Sequence, residues 1–251
     1  MTRRSAGSPP NVRRSNAQAE EQNLLLRALP ARSYRRLLTH LVPHDVDASD
    51  VLWEPDDVLE WVYFPRTFVG SLLVVLESAA PVESATVGRE GMLGVSVLLG
   101  ASGASGRAIG QVSGASVRIS AGALRRAIAS DRALERVLLR YAHTLQEQIA
   151  QSVACNSRHT LEERCARWLL ATQDRVGRDE FILLQSFLAA MLGVHRPRVT
   201  ITAGKLQQAG LISYSRGKLA IVDRRRLEAV SCECYAIVKA ASDRMLDGAL
   251  S

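Results

Sequence analysis

The chain has 251 residues, 47% of them hydrophobic, enough for two modest globular domains with cores of their own. Its formal net charge of +7 is unevenly placed: residues 156–226 hold 13 basic and six acidic side chains, and residues 1–19 hold four arginines and no acid, the footprint of a nucleic-acid-binding module beside a near-neutral domain. No run of 18 uncharged apolar residues occurs, the basic start has no apolar core behind it, and four cysteines (Cys155, Cys165, Cys232, Cys234) do not resemble a disulfide framework, so a membrane span, a secretion signal and an oxidised compartment are not expected. A cytoplasmic protein with reduced thiols is.

Residues 1–19, rich in Arg, Ser, Pro and Asn, lack the apolar surface to offset ordering and are expected to be a disordered basic tail. A domain follows over residues 20–129. Leu25, Leu29, Leu37, Leu38 and Leu41 have helical spacing interrupted at Pro30, which predicts two short helices. From His44 to Arg118 short segments rich in β-formers (61–64, 71–76, 116–119) alternate with Gly and Pro turn signals, predicting a compact β-barrel or sandwich. Helical character returns with Ser120 as the cap of 121–129 and Ser130 as the cap of a long helix to about Arg158. On that helix, over residues 130–158, Leu134, Leu138, Tyr141, Leu145 and Ile149 form an apolar stripe. A second copy of the chain is the simplest cover for it, with packing on the β-domain alone, or a mixture of both, as the alternatives.

The region 159–251 begins with a capping box, Thr160 and Glu163, and a helix ended by Gly177. Residues 181–184 read as a short strand or an extended lead. Phe187, Leu188, Met191 and Leu192 then recur at helical spacing until Gly193, and a second helical pattern follows at once with Val199, Leu206 and Ala209 apolar. Two short helices joined at a glycine fit a helix-turn-helix. The second opens with Pro197, tolerated in a first turn, and carries Arg196, Arg198, Thr200, Thr202 and Lys205, groups suited to phosphates and base edges. Ser215-Arg216-Gly217-Lys218 is a hairpin turn between short strands, so Arg216 and Lys218 would sit on a basic wing. Residues after Asp223 read as one final helix.

A β-domain, a long connecting helix and a winged helix-turn-helix, in that order, resemble the Crp/Fnr family of bacterial transcription regulators. The resemblance covers about residues 22–240. It rests on Glu90-Gly91-Met92-Leu93-Gly94 with Arg107, on the stripe 134–149, and on 192–200 with its wing. It implies an α+β fold: an N-terminal β-barrel or jelly-roll sensor domain, a dimerisation helix, and a C-terminal winged helix-turn-helix. It also implies a homodimer that binds double-stranded DNA, with RNA polymerase as a further partner. By position, His195, Arg196, Pro197, Arg198, Thr200, Ile201 and Lys205 would face DNA. Arg196 matches the family's guanine-reading arginine. Pro197 replaces a common glutamate and Ile201 a common arginine, so a different half-site is expected. Gly91, Met92, Leu93, Gly94, Arg107 and Ala108 would line the effector pocket. Met92 and Ala108 stand where cyclic-nucleotide binders place a glutamate and a serine. A thioether and a methyl cannot make those hydrogen bonds, so an unknown small molecule rather than cAMP is expected there, or none.

No cofactor is identified. The iron–sulfur branch uses N-terminal cysteines, and none precedes Cys155. Cys155 and His159 lie four apart and Cys232-Glu233-Cys234 is a C-x-C, but neither pair has an evident second pair of ligands. They read as incidental, with no metal expected; a metal- or redox-responsive regulator is the alternative, and a DNA-binding dimer without a ligand another. The chain has no G-x-S-x-G, no Walker loop, no H-E-x-x-H and no G-x-G-x-x-G, so an enzyme is not expected.

Overall fold

The computed structural model describes residues 16–77, 81–101 and 103–248; most of the predicted basic tail, residues 1–15, lies outside them. Its last residues do not behave as a tail. Asn16–Ala19 form a helical turn, α1, and buried Gln18 donates to the carbonyls of Arg27 and Leu29. The ordered chain therefore begins before residue 20. Helices α2 (Leu24–Ala28) and α3 (Ala31–Leu38) flank Pro30 as the leucine spacing predicts. Asn23 caps α2 through its side-chain oxygen, and its amide nitrogen donates to the carbonyls of Pro65 and Gly91, fastening the helices to the β-domain.

That domain holds strands β1 (Val42–Val46), β2 (Val51–Trp53), β3 (Trp61–Pro65), β4 (Val69–Val74), β5 (Val82–Val87), β6 (Arg107–Val112) and β7 (Gly114–Ser120), with a short helix α4 (Val95–Leu98) before β6. They pair antiparallel as two sheets, β1-β7-β3 and β2-β6-β4-β5. Phe64, Phe68, Val87, Ala108 and Ile119 meet in the core. Ser120 caps α5 (Ala121–Ser130) as expected. The cap of the long helix α6 (Arg132–Arg158) is Asp131 and not Ser130. Asp131 accepts from the amides of Ala133 and Leu134, whereas Ser130 is the last residue of α5 and donates back to the carbonyl of Ala127.

The capping box at Thr160 starts α7 (Leu161–Val176), and Gly177, at φ +68°, ends it. Next come β8 (Glu180–Ile182), α8 (Gln185–Met191), α9 (Arg196–Gln208), β9 (Ile212–Ser215) and β10 (Lys218–Ile221), with sheet order β8-β10-β9. The predicted single final helix is two. Asp223 caps α10 (Arg224–Val230), Ser231 is extended, and α11 (Cys234–Gly248) begins after the Cys232-Glu233 link. The break turns Cys232 and Cys234 inward and lets α11 return along α6. No helix among the described residues is long and apolar enough to cross a membrane.

The two regions meet along α7. Val69, Leu73 and Val112 of the β4–β6 face pack in one cluster with Trp168 and Leu169. The Trp168 indole donates to Glu83, whose carboxyl is pushed up to about 7 by burial. Arg175 crosses the same seam to Glu90 at 2.7 Å.

Candidate nucleic-acid interface and effector cavity

The helix-turn-helix is built as the sequence predicts. Gly193 adopts φ +64° between α8 and α9, a conformation that costs a residue with a Cβ. Val199, Thr202, Ala203 and Leu206 form the buried side of α9. His195, Arg196, Pro197, Arg198, Thr200, Ile201 and Lys205 are exposed on the rest of it. Thr202 thus drops out of the predicted polar face: its position on the helix points it into the core. Ile201 remains 63% exposed, an apolar group set among cations, which is chemistry suited to a thymine methyl.

Thr200 donates to the Gln185 side chain at 2.8 Å, tying the start of α8 to the outer face of α9. Arg164 of α7 donates to the carbonyl of Leu192 at 2.6 Å, bracing the turn from beneath. Lys205 pairs loosely with Glu162 at 3.9 Å.

The wing turn carries Arg216 at φ +51° and Gly217 at φ +79°. Two successive positive φ values match the right-handed twist of the strands they join. Tyr214 anchors the hairpin by donating its hydroxyl to the carbonyl of Leu183, and burial pushes that phenol up to about 12. Lys218 is paired with Glu180 of the neighbouring strand. Among the described residues no ion pair holds Arg196, Arg198 or Arg216, so these three present the least neutralised charge of the face.

A cavity of about 490 Å³ lies between the β2-β6-β4-β5 sheet and α6. Met92, Gly94 and Arg107 of the predicted pocket line it, together with Leu139, Gln146 and Ile149 of α6. Gly91, Leu93 and Ala108 do not. Gly91 lies under the Tyr141 ring, where an added Cβ would come within 2.3 Å. Leu93 and Ala108 are buried in the β-domain core. Arg107 is already engaged, donating to Glu54 at 2.7 Å, a partner that the motif gave no reason to expect.

The predicted α6 stripe is covered within the chain. Leu134, Leu138, Tyr141 and Leu145 are buried in the protomer's own core, and Tyr141 donates to the carbonyl of Met92 at 2.9 Å. These four thus pack on their own protomer, the alternative cover for the stripe. Ile149 is only half-buried. It belongs to a second series on the outer face, Leu139, Ala142, Gln146, Ile149 and Val153, spaced alternately by three and four, with Leu139 45% and Val153 68% exposed.

Distant cysteines also converge. Cys155 at the end of α6, His159 just past it, and Cys232 and Cys234 at the start of α11 place their ligand atoms within 4.8 Å of one another. The α10–α11 break carries the C-x-C to the C-x-x-x-H, so each pair has beside it the second pair of candidate ligands that spacing did not show. Cys165 lies elsewhere, buried in the α7 core.

Residues 163–230 match the model of the Crp-like helix-turn-helix domain. Comparison with curated proteins gives no match. Among solved structures, the fold is similar to FixK2 from Bradyrhizobium japonicum (16% identity, TM-score 0.66, covering 76% of this chain and 98% of that one). It is similar to the CRP-family regulator TTHB099 from Thermus thermophilus (14%, 0.62, 75% and 96%). It is also similar to the c-di-GMP-responsive regulator CLP from Xanthomonas campestris (14%, 0.59, 76% and 99%).

Proposed function

The chain carries a Crp-like helix-turn-helix domain on a Crp/Fnr-type fold, and from that premise we propose that it regulates transcription as a homodimer reading duplex DNA with α9. The observation that carries this reading is the exposed α9 face, with Arg196, Arg198, Thr200 and Ile201 outward and the wing cations beside it. Arg196 reads a base edge, and a bidentate contact to guanine suits its fork. Arg198, Lys205 and Arg216 meet phosphates.

The experiment is a pair of binding isotherms on a selected operator and on random duplex. Arg196→Ala weakens operator binding by about 1–3 kcal/mol and leaves random DNA nearly unaffected. Arg216→Ala weakens both alike and flattens the salt dependence. Lys218→Ala does the same more weakly, because Glu180 already shares its charge. Equal losses on both duplexes for all three variants would sink the assignment of α9 as the reading helix.

The partner docks on the outer α6 series, Leu139 to Val153, and each subunit places one α9 about 34 Å from the other, one turn of DNA apart. The same α6 face closes the cavity over Met92 and Arg107. An effector there would press on the dimer seam, and its differential affinity for two seam arrangements would set the spacing of the reading helices. Met92 and Ala108 put a thioether and a methyl where a cyclic nucleotide needs a carboxylate and a hydroxyl, no carboxylate lines the cavity, and Glu54 competes for Arg107. Each unmade bond in a buried site costs on the order of 1–3 kcal/mol. Calorimetry with cAMP is expected to give no micromolar binding; such binding would overturn this view of the cavity.

A further inference from the structure

We propose that Cys155, His159, Cys232 and Cys234 bind one Zn²⁺ ion, which joins the end of α6 to the start of α11. The assignment stands on these four residues alone and does not depend on the DNA-binding function.

The geometry is that of a single tetrahedral ion. The Cys155 and Cys232 sulfurs are 3.6 Å apart, and the Cys234 sulfur lies 3.5 Å from Nδ1 of His159. With Zn–S about 2.3 Å and Zn–N about 2.05 Å, a tetrahedron has sulfur–sulfur edges of about 3.8 Å and sulfur–nitrogen edges of about 3.6 Å. All four atoms fit within 4.8 Å of one another, room for one ion and not for a cluster of several. Three thiolates and an imidazole form a closed structural set with no position left for substrate.

The surroundings fit a metal as well. Nε2 of His159 lies 3.2 Å from the Glu233 carboxylate. Donation there leaves the Nδ1 lone pair facing the sulfurs, the carboxylate–histidine arrangement that orients zinc ligands. Gln151 donates Nε2–H to the Cys234 sulfur at 3.0 Å, a bond that supports a thiolate. Zn²⁺ with three thiolates carries one net negative charge. Arg164 and Arg167 of α7 are the cations beside the cluster. The Nε groups of both arginines are buried without a hydrogen-bond partner. A Cys155–Cys232 disulfide, by contrast, would leave Cys234 and the His159–Glu233 pair without a role.

The location gives the ion a task. Two ligands end the long helix and two follow the winged domain, so the ion pins the chain on both sides of residues 160–231. Because the ligands must lose protons, binding releases them and weakens as pH falls.

The test is metal analysis of the full chain, purified reduced and without chelator. One zinc per chain is expected. Replacement by Co²⁺ should give thiolate charge-transfer absorption and the strong visible bands of a tetrahedral site. Cys232→Ser and His159→Gln should lose stoichiometric metal, while Cys165→Ser keeps it. Glu233→Gln, which leaves all four ligands in place, should weaken zinc 10–100-fold in chelator competition. Should a ligand variant fail to fold, the wild-type cobalt spectrum and Glu233→Gln decide. The proposal is overturned if reduced, folded protein takes up neither Zn²⁺ nor Co²⁺, if the cobalt spectrum is octahedral, if Glu233→Gln binds as tightly as wild type, or if the protein carries a Cys155–Cys232 disulfide and binds no metal after reduction.

Discussion

Arg175→Ala is expected to destabilise the protein by about 3–5 kcal/mol, the cost of leaving one member of a buried ion pair without its partner. Arg175 is 7% exposed. It donates Nε to Glu90 at 2.7 Å, Nη1 to the carbonyl of Ala171 and Nη2 to the Gln148 side chain. It therefore joins three parts: the β-domain turn, the long helix and α7. Gly88 is small where it is because the Arg175 stem lies against it; an added Cβ would come within 2.4 Å. In the double variant Arg175→Met, Glu90→Met neither charge is stranded, and the loss should be far smaller than the sum of the single changes. Urea unfolding of the wild type, Arg175→Met, Glu90→Met and the double variant completes the cycle. A loss below about 1 kcal/mol for Arg175→Ala, the range of exposed pairs, would show that water reaches the latch.

The second large effect concerns the dimer. Ile149→Asp with Val153→Asp places two charges in the outer α6 series and should convert the protein to a folded monomer. A monomer holds one half-site, so operator affinity should fall by about 10²–10⁴-fold, the avidity of linked binding. Leu138→Ala makes the contrast. Leu138 is fully buried inside the protomer, and its truncation should cost about 2–5 kcal/mol of fold stability without breaking the dimer. Sedimentation and unfolding together separate the two. A Leu138 variant that turns monomeric before it unfolds would restore the inner stripe as the seam.

Local chemistry made much of this fold legible. Ser120 and Thr160 cap helices through their own side chains, as their place before helical spacing indicated. Gly177, Gly193 and Gly217 occupy positive φ, so glycine marked real boundaries. Where two good caps were adjacent, Ser130 and Asp131, spacing could not choose between them; the geometry of the following turn did. The α10–α11 break carries no Gly or Pro and left no local mark. The α6 helix has two apolar series, and periodicity reports that a face is apolar, not what covers it. The buried side of α9 includes Thr202 because polarity alone does not set orientation. Cys155 and Cys232 are 77 positions apart, so each half of the cluster looked incomplete until tertiary structure joined them.

Selection of duplexes from a random pool with the purified protein, followed by weighing of the complex, decides whether paired α9 helices read adjacent major grooves. An enriched inverted repeat with half-sites about 10 base pairs apart is expected, bound by two chains, with affinity falling steeply as salt rises. A single chain on each duplex, or a pool that never departs from random sequence at low salt, would contradict it.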